Sequence, residues 1–167
     1  MAPLGAVDPR KGTHRMLDGY ISDLEVGDVF RSIEIDVSAL GVAEYAHGNE
    51  QTSEFYMSTA NPMERQVRPP TGVHTDKMRL IEANCLKERR ISGEVGPDAR
   101  VHYEYHAEFY EPIFVGDTIR VSGKITERYW KRDREFLHYE LEIHHEDGRL
   151  LASYKDKTLL RYSKGQG

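Results

Sequence analysis

The stretch Arg68-Pro-Pro-Thr-Gly-Val-His-Thr-Asp-Lys-Met-Arg-Leu-Ile-Glu-Ala-Asn-Cys-Leu86 decides the fold, because it predicts one helix behind an extended lead-in. A largely apolar stripe recurs at helical spacing on one face: His74, Met78, Ile81 and Cys85. Thr71 is the predicted N-cap, and the prolines before it hold the chain extended, since a residue before proline avoids the helical region. We expect this helix, over 71–86, to lie at the centre of the molecule.

Strand patterns surround this helix in the chain. Apolar and polar residues alternate, as in half-buried strands, over the following ranges: 29–37, 101–109, 119–126 and 137–144. Asp147-Gly148 predicts a hairpin in which both central residues have a positive φ, followed by a last strand over 149–161. The fold class is therefore α+β, a long central helix wrapped by a curved antiparallel sheet.

Two further local signals complete this architecture. Ser38 is the predicted N-cap of a helix over 39–48, because its hydroxyl can accept an amide hydrogen of the first turn, and Gly48-Asn49 ends that helix. A single sheet around one helix also leaves an edge strand with unpaired backbone groups. We therefore expect a partner chain to cover this edge.

Length and composition limit the classes of protein. A chain of 167 residues predicts one domain, here 23–164, with an N-terminal arm over 1–22 and a C-terminal tail over 165–167. The net charge of −5 and pI near 5.9 argue against nucleic-acid binding. No apolar run predicts a membrane span and no secretory signal is evident. One cysteine, Cys85, excludes an internal disulfide and fits the cytoplasm.

Three motifs follow one another along the chain: Tyr45-Ala-His-Gly-Asn-Glu-Gln-Thr-Ser-Glu-Phe-Tyr56, Arg68-Pro-Pro-Thr-Gly72 and Tyr110-Glu-Pro-Ile-Phe-Val-Gly-Asp117. Their order and spacing resemble the MaoC-like or R-specific enoyl-thioester hydratases, over roughly Leu24 to Tyr162. The nearest resemblance is to stand-alone chains related to the dehydratase segment of fatty-acid synthases. It implies a hotdog fold, an acyl thioester of coenzyme A or acyl carrier protein as ligand, no cofactor, and dimers joined edge to edge.

The first motif departs from the family where the chemistry takes place. The family pattern is Tyr/Phe-Ala-x-x-x-Gly-Asp-x-Asn-Pro-x-His, and an alignment without gaps places Gln51, Ser53 and Tyr56 at its Asp, Asn and His positions. Glutamine does not titrate, and tyrosine, with an ordinary pKa of about 10, is a poor base at neutral pH. These residues are better suited to orienting water or a thioester carbonyl than to transferring protons.

A second alignment of this motif stays open. His47-Gly48-Asn49 resembles the Ser-Gly-Asp part of the family motif if two residues are deleted after Tyr45-Ala46. Asn49 then takes the Asp position and Glu54 takes the His position. His47 and Glu54 are therefore candidate substitutes for the missing pair, set against the simpler interpretation that both are solvated surface residues.

The start of the central helix is the predicted site for the thioester. Pro70, Thr71 and Gly72 form its approach, and glycine allows a ligand to lie close to the backbone. His74 faces either this ligand or the core. Among the other histidines, no zinc spacing is present.

The resemblance and the residues together predict an acyl-thioester binding subunit of an enoyl-thioester hydratase or 3-hydroxyacyl dehydratase, with weak or no activity alone. Its partner is a second copy or a catalytic hotdog chain. Two alternatives are a non-catalytic acyl-thioester binding or scaffold module, and a hotdog thioesterase that uses an acidic residue such as Asp76 or Glu82.

Overall fold

A computed structural model describes residues 19–87, 96–97 and 99–160. Five strands form one antiparallel sheet in the order β1-β3-β4-β5-β2. The strands are β1 (Val29–Asp36), β2 (Arg100–Phe109), β3 (Thr118–Lys131), β4 (Arg134–His145) and β5 (Leu150–Leu160). The helices are α1 (Ala39–Gly48), α2 (Glu54–Met57) and α3 (Val73–Asn84). The predicted α+β class is confirmed, and α3 packs against β1 and β3.

The first half of the domain follows the sequence pattern with one shift. The cap prediction is correct, since the Ser38 hydroxyl accepts a hydrogen bond from the Gly41 amide at 3.1 Å and Asn49 follows the last turn of α1. In β1 a register irregularity between Phe30 and Ile33 leaves Val29 exposed and buries Phe30 instead. The strict alternation predicted from Val29 onward is therefore wrong at its first residues.

The packed domain begins before its predicted boundary at residue 23. A 3-10 turn, Ile21–Asp23, places Ile21 in the hydrophobic core with no exposed surface. Most of the predicted arm (1–18) and the predicted C-terminal tail lie outside the described residues.

The central helix is shorter and rotated relative to its prediction. A 3-10 turn, Pro70–Gly72, precedes it, and Gly72 rather than Thr71 occupies the N-cap position. The predicted apolar stripe does not coincide with the buried face of the helix, because its members other than Ile81 are only half-buried. This prediction was wrong. The buried face consists of Val73, Asp76, Lys77, Leu80, Ile81 and Asn84. Three of these side chains are polar, so a search for apolar periodicity misses the face that they share.

The two hairpins of the sheet have different turn geometries. Between β3 and β4, Arg132 and Asp133 have φ values of 51° and 56°, the left-handed pair that favoured two-residue hairpins require. Between β4 and β5, only Gly148 has a positive φ, and its amide bonds the His145 carbonyl at 2.8 Å. The hairpin predicted at Asp147-Gly148 is present, but the prediction of two positive φ values there is wrong.

Strand β2 forms one edge of the sheet and is largely exposed. A register irregularity between His102 and Glu104 interrupts the predicted alternation. Tyr103 consequently leaves the face shared by Tyr105 and Phe109 and packs edge-on against Phe136, with ring centroids 5.2 Å apart. The alternation predicted over 101–109 places His102 on the polar face of the strand; this is wrong, because its side chain turns toward the buried Asp156.

None of the helices within the described ranges has the length and apolar character needed to cross a membrane.

Candidate functional site

The segment that resembles the family's catalytic motif lies at the surface. Gln51 and Ser53 are exposed and Tyr56 is half-buried. The Ser53 hydroxyl caps α2 by accepting from the Phe55 amide at 3.4 Å, so it has a structural role. Within the part of the chain that the structure describes, neither the side-chain amide of Gln51 nor the Tyr56 hydroxyl has a hydrogen-bond partner. The segment brings no proton-transferring pair together.

The two candidate substitutes are also separate. His47 is exposed near the end of α1, and Glu54 is exposed at the start of α2. The Glu54 carboxylate accepts a hydrogen bond from the Ser58 hydroxyl at 2.9 Å, and none of the contacts among the described residues joins it to His47. An acid–base pair built from His47 and Glu54 therefore finds no support in the geometry.

The approach to α3 is tightly built. The Tyr45 hydroxyl donates to Thr71 Oγ1 at 3.0 Å, which fixes α1 against the helix start. Arg68 Nη2 bonds Asp76 Oδ2 at 2.6 Å, and the guanidinium packs on Gly72 so closely that a Cβ there would lie 2.7 Å from Nε. The space at position 72, beside the predicted thioester site, therefore favours glycine.

The acidic residues of α3 are both engaged. Burial raises the pKa of Asp76, opposed by the charge and hydrogen bond of Arg68. Glu82 is exposed and pairs with Lys87 at 3.0 Å. Asp76 is therefore held by a fixed guanidinium, in the wall of a small cavity of about 80 Å³ that it lines together with Arg68 and Gly72.

A groove of about 250 Å³ lies between the helix approach and the end of β2. Pro70 and Phe109 both line it, and its walls are mainly apolar. Its lining consists of Val67, Arg68, Pro69, Pro70, Phe109, Tyr110, Glu111, Pro112 and Ile113. A groove of this kind next to the helix start suits an acyl chain.

A polar cluster beneath the edge strand was missed by sequence reasoning. We call it the α3–β5 cluster and define it by His74, Lys77, His102, Tyr154 and Asp156. Asp156 Oδ2 lies 2.9 Å from Lys77 Nζ, 2.7 Å from His102 Nδ1 and 3.2 Å from the Tyr154 hydroxyl. His74 Nδ1 lies 3.2 Å from the same hydroxyl, so α3, β2 and β5 meet at one buried carboxylate.

The only sequence signal for this cluster is the inward side of the last strand. Tyr154, Asp156 and Thr158 occupy alternate positions of β5, and a strand places alternate residues on one face. Thr158 Oγ1 also donates to Asp156 Oδ1 at 2.6 Å. Burying an aspartate on the inward face of a strand costs free energy unless its carboxylate is paired. The need for such a partner is the signal that could have led to Lys77.

Burial and charge move the pKa values in this cluster. Burial lowers the pKa of Lys77, opposed by its contact with Asp156. Burial raises the pKa of Asp156, but hydrogen bonds from Thr158 and Lys77 outweigh it and hold that pKa below the ordinary value. Burial, followed by the charges of Lys77 and His102, lowers the pKa of His74. His74 is therefore a neutral imidazole at neutral pH.

A family model described as "FAS1-like, dehydratase domain region" matches residues 25–154. The chain belongs to this family. No curated protein sequence matches this FAS1-like dehydratase chain significantly.

Solved structures show which fold the FAS1-like dehydratase chain shares. The HadBC (3R-hydroxyacyl-ACP dehydratase) complex of Mycobacterium tuberculosis matches with 13% identity and a TM-score of 0.68, covering 83% of this chain and 99% of that one. The R-hydratase PhaJ1 of Pseudomonas aeruginosa matches with 10% identity and 0.66, covering 85% and 84%. A MaoC-like dehydratase of Rhodospirillum rubrum matches with 16% identity and 0.64, covering 84% and 95%. These similarities confirm the predicted hotdog fold of the MaoC-like dehydratases and hydratases.

Proposed function

We propose that this chain is the acyl-thioester binding subunit of an enoyl-thioester hydratase or 3-hydroxyacyl dehydratase, and that alone it turns over its substrate slowly or not at all. Its ligand is an acyl group on coenzyme A or acyl carrier protein, and it works in the cytoplasm. The observation that carries this proposal is that the side chains of Gln51 and Tyr56, at the family's proton-transfer positions, have no hydrogen-bond partner among the described residues.

The binding half of the proposal is supported by the helix approach. Gly72 is buried at the start of α3, and the groove between Pro70 and Phe109 opens beside it. A thioester lying there would place its carbonyl near the helix N-terminus, where free amide hydrogens favour developing negative charge. Its acyl chain would fill the apolar groove.

The partner half is supported by the exposed edge strand. β2 presents exposed aromatic side chains on both faces, with Tyr103 61% and Tyr105 54% exposed. An edge strand of ten residues with this apolar surface is normally covered by another chain. We propose that a second hotdog chain pairs here, either an identical copy or one that carries an intact catalytic pair.

A thioesterase is the less favoured alternative. Hotdog thioesterases typically use an acidic residue on or beside the central helix, but Asp76 is 1% exposed and held by Arg68. Glu82 is exposed and bound to Lys87. Neither carboxylate adjoins the groove between Pro70 and Phe109.

Binding and bond cleavage test the proposal together. Butyryl-coenzyme A is titrated calorimetrically into the wild-type chain and into Phe109→Asp, which places a charge in the groove. We expect saturable binding that Phe109→Asp weakens at least tenfold, while Tyr129→Asp, outside the groove, leaves it within about twofold. Absence of wild-type binding would refute the proposal. Release of free thiol from crotonyl-coenzyme A would favour the thioesterase instead.

The edge-strand partner is tested by sedimentation. Lysine on an exposed edge strand blocks strand pairing. We expect the chain to sediment as a dimer, alone or with its catalytic partner, and Tyr105→Lys to shift it to a monomer. Lys124→Glu, on an exposed site of β3, is the matched control and should leave the dimer intact. A wild-type chain that stays monomeric even with a partner present would refute this half of the proposal.

A further inference from the structure

Two imidazoles share the buried carboxylate of the α3–β5 cluster. His102 reaches Asp156 directly, with Nδ1 2.7 Å from Oδ2, and His74 reaches it through the Tyr154 hydroxyl. The ring centroids of His74 and His102 are 4.9 Å apart. Carboxylate-oriented imidazoles of this kind are the usual groups for general acid–base catalysis.

The hydrogen-bond chain fixes the tautomer of His74. The Tyr154 hydroxyl donates its one hydrogen to Asp156 Oδ2 at 3.2 Å. It can therefore only accept from His74, whose Nδ1 must carry the hydrogen. Nε2 of the neutral His74 ring consequently keeps a free lone pair, as a general base requires.

This nitrogen has no hydrogen-bond partner within the described part of the chain. His74 Nε2 makes no hydrogen bond to any residue that the structure describes, and His74 is only half-buried. The neighbouring His102 side chain is 33% exposed. A ligand that enters beside β2 thus meets a nitrogen that none of the described residues bonds.

The inner face of β2 connects the imidazoles with the acyl groove. The Tyr105 ring lies 5.3 Å from the His102 ring and stacks on Tyr154. Ala107 and Phe109 continue the same face, since they pair with Tyr154 and Ala152 of the core. Phe109 lines the groove. One surface therefore runs from the acyl groove to Nε2 of His74.

A purely structural role explains this arrangement less well. A buried pair such as Lys77 with Asp156 is often no more stabilising than apolar residues of the same volume. The described residues also contain no group of three or more ligands arranged for a metal ion. The pair does, however, hold a fixed charge beside two imidazoles, as sites that tune proton transfer do.

We propose that His74 is a catalytic residue that transfers the C2 proton of a 3-hydroxyacyl thioester, positioned by Tyr154 and Asp156. This inference rests on the proposed function. Nε2 of His74 removes the proton from C2, and the C–H electron pair forms the C2=C3 double bond. The C3–O bond breaks, and the imidazolium returns the same proton to the leaving oxygen, which departs as water. Hydration is the reverse sequence.

The test is deuterium uptake at C2. The full chain alone is incubated with 3-hydroxybutyryl-coenzyme A in D2O, and C2 deuteration is followed by mass spectrometry. We expect slow uptake by the wild type. His74→Asn keeps a donor for Tyr154 but has no base, so uptake should fall by about 100-fold or more, in the range of general base catalysis. His106→Gln, on the outer face of β2, should leave uptake unchanged.

Two further readouts separate chemistry from structure. Free imidazole should restore uptake in His74→Ala, because the deleted side chain leaves room for it. Tyr154→Phe should slow uptake and shift its pH profile to lower pH, since the hydroxyl links the imidazolium to Asp156. The profile reports His74 together with the groups that face it: Lys77 on α3, His102 on β2, and Tyr154 and Asp156 on β5.

The outcomes are distinguishable from failure of the proposed function. A wild type that binds butyryl-coenzyme A but takes up no deuterium overturns the role of His74 and leaves the binding subunit standing. Uptake by His74→Asn within twofold of wild type does the same. Failure of the wild type to bind butyryl-coenzyme A refutes the proposed function and this inference together.

Discussion

The segment 45–56 resembles the family's catalytic motif in sequence, whereas the α3–β5 cluster brings titratable groups together in space. The first aligns with the family's catalytic motif, yet at its two proton-transfer positions the side chains of Gln51 and Tyr56 have no hydrogen-bond partner among the described residues. The second has no counterpart in the aligned motif, yet its hydrogen bonds link a lysine, an aspartate and two histidines, one of them through Tyr154. Titratable groups that are buried, paired and close together are where acid–base chemistry is to be sought.

The largest expected effect comes from breaking the buried pair. Asp156→Ala leaves the Lys77 ammonium without its counter-charge in the core, and loss of one member of a buried pair costs about 3–5 kcal/mol. The free energy of unfolding, measured by urea denaturation, should fall by this amount.

Two controls accompany this variant. Glu82→Ala breaks the exposed pair with Lys87 and should change stability little. Replacing both buried partners, Lys77→Met with Asp156→Leu, should recover most of the loss because no charge is then left unpaired. A loss below about 1 kcal/mol for Asp156→Ala would mean that the cluster is not the buried charge centre described above.

The next largest effect is expected in the segment 45–56. Gln51→Asp with Tyr56→His restores the family's titratable pair, and general acid–base catalysis contributes about 100-fold or more. Hydration of crotonyl-coenzyme A by the double variant should rise by that factor. Gln51→Asn with Tyr56→Phe alters the same positions without titratable groups and should give no gain. A double variant that folds, binds butyryl-coenzyme A and gains no rate would show that residues 51–56 do not face the acyl site.

Sequence reasoning succeeded where the pattern is apolar and local. The Ser38 cap, the hairpin at Asp147-Gly148 and the presence of a strand after Val101 all depend on neighbouring residues, and each element formed, although the alternation in that strand is interrupted. The family motifs added the hotdog fold, since the sequence signals alone give only an antiparallel sheet with a central helix.

Sequence reasoning failed where polar residues are buried because they pair with residues far away in the chain. Lys77 and Asp156 are 79 positions apart in the chain and are buried only because they meet. Their polarity hid the true inner face of α3 and assigned the stripe to His74, Met78 and Cys85 instead. The turn of His102 toward the core depends on a strand irregularity that no periodicity reveals. A site assembled by such pairings is therefore visible only in the fold.

A smaller effect is expected at the helix approach. Gly72→Ala places a methyl group against the Arg68 guanidinium, which is held by Asp76, and should cost about 1–2 kcal/mol of stability as in other overpacked sites. Gly48→Ala is the matched control, because it lies in a helix with open space around it. Thermal unfolding of the two variants side by side checks this. Equal stabilities would contradict the tight packing at Gly72.

The smallest effect is the pH dependence of stability. The pKa of His74 is lowered in the folded chain and returns to its ordinary value near 6.5 on unfolding. Between these values the unfolded chain binds more protons, so stability falls as the pH drops through 6.5 toward the folded pKa. His138, whose pKa burial also lowers, acts with the same sign.

His74→Gln isolates the contribution of one residue. The decline of the unfolding free energy from about pH 7.5 to 5, measured by urea denaturation, should be shallower than in the wild type while the His138 part remains. An identical slope in the variant and the wild type would place His74 in a more solvated setting than the α3–β5 cluster provides.

The most direct measurement is the rate at which the purified chain alone hydrates saturating crotonyl-coenzyme A, followed by loss of the conjugated absorbance. With no proton-transfer pair at positions 51 and 56, we predict a turnover below about 0.1 s⁻¹, at least a hundredfold under the enzyme median of about 10 s⁻¹. Turnover at or above that median by the unaccompanied chain, retained in His74→Asn, would contradict the central claim that the family's catalytic positions are inactive here.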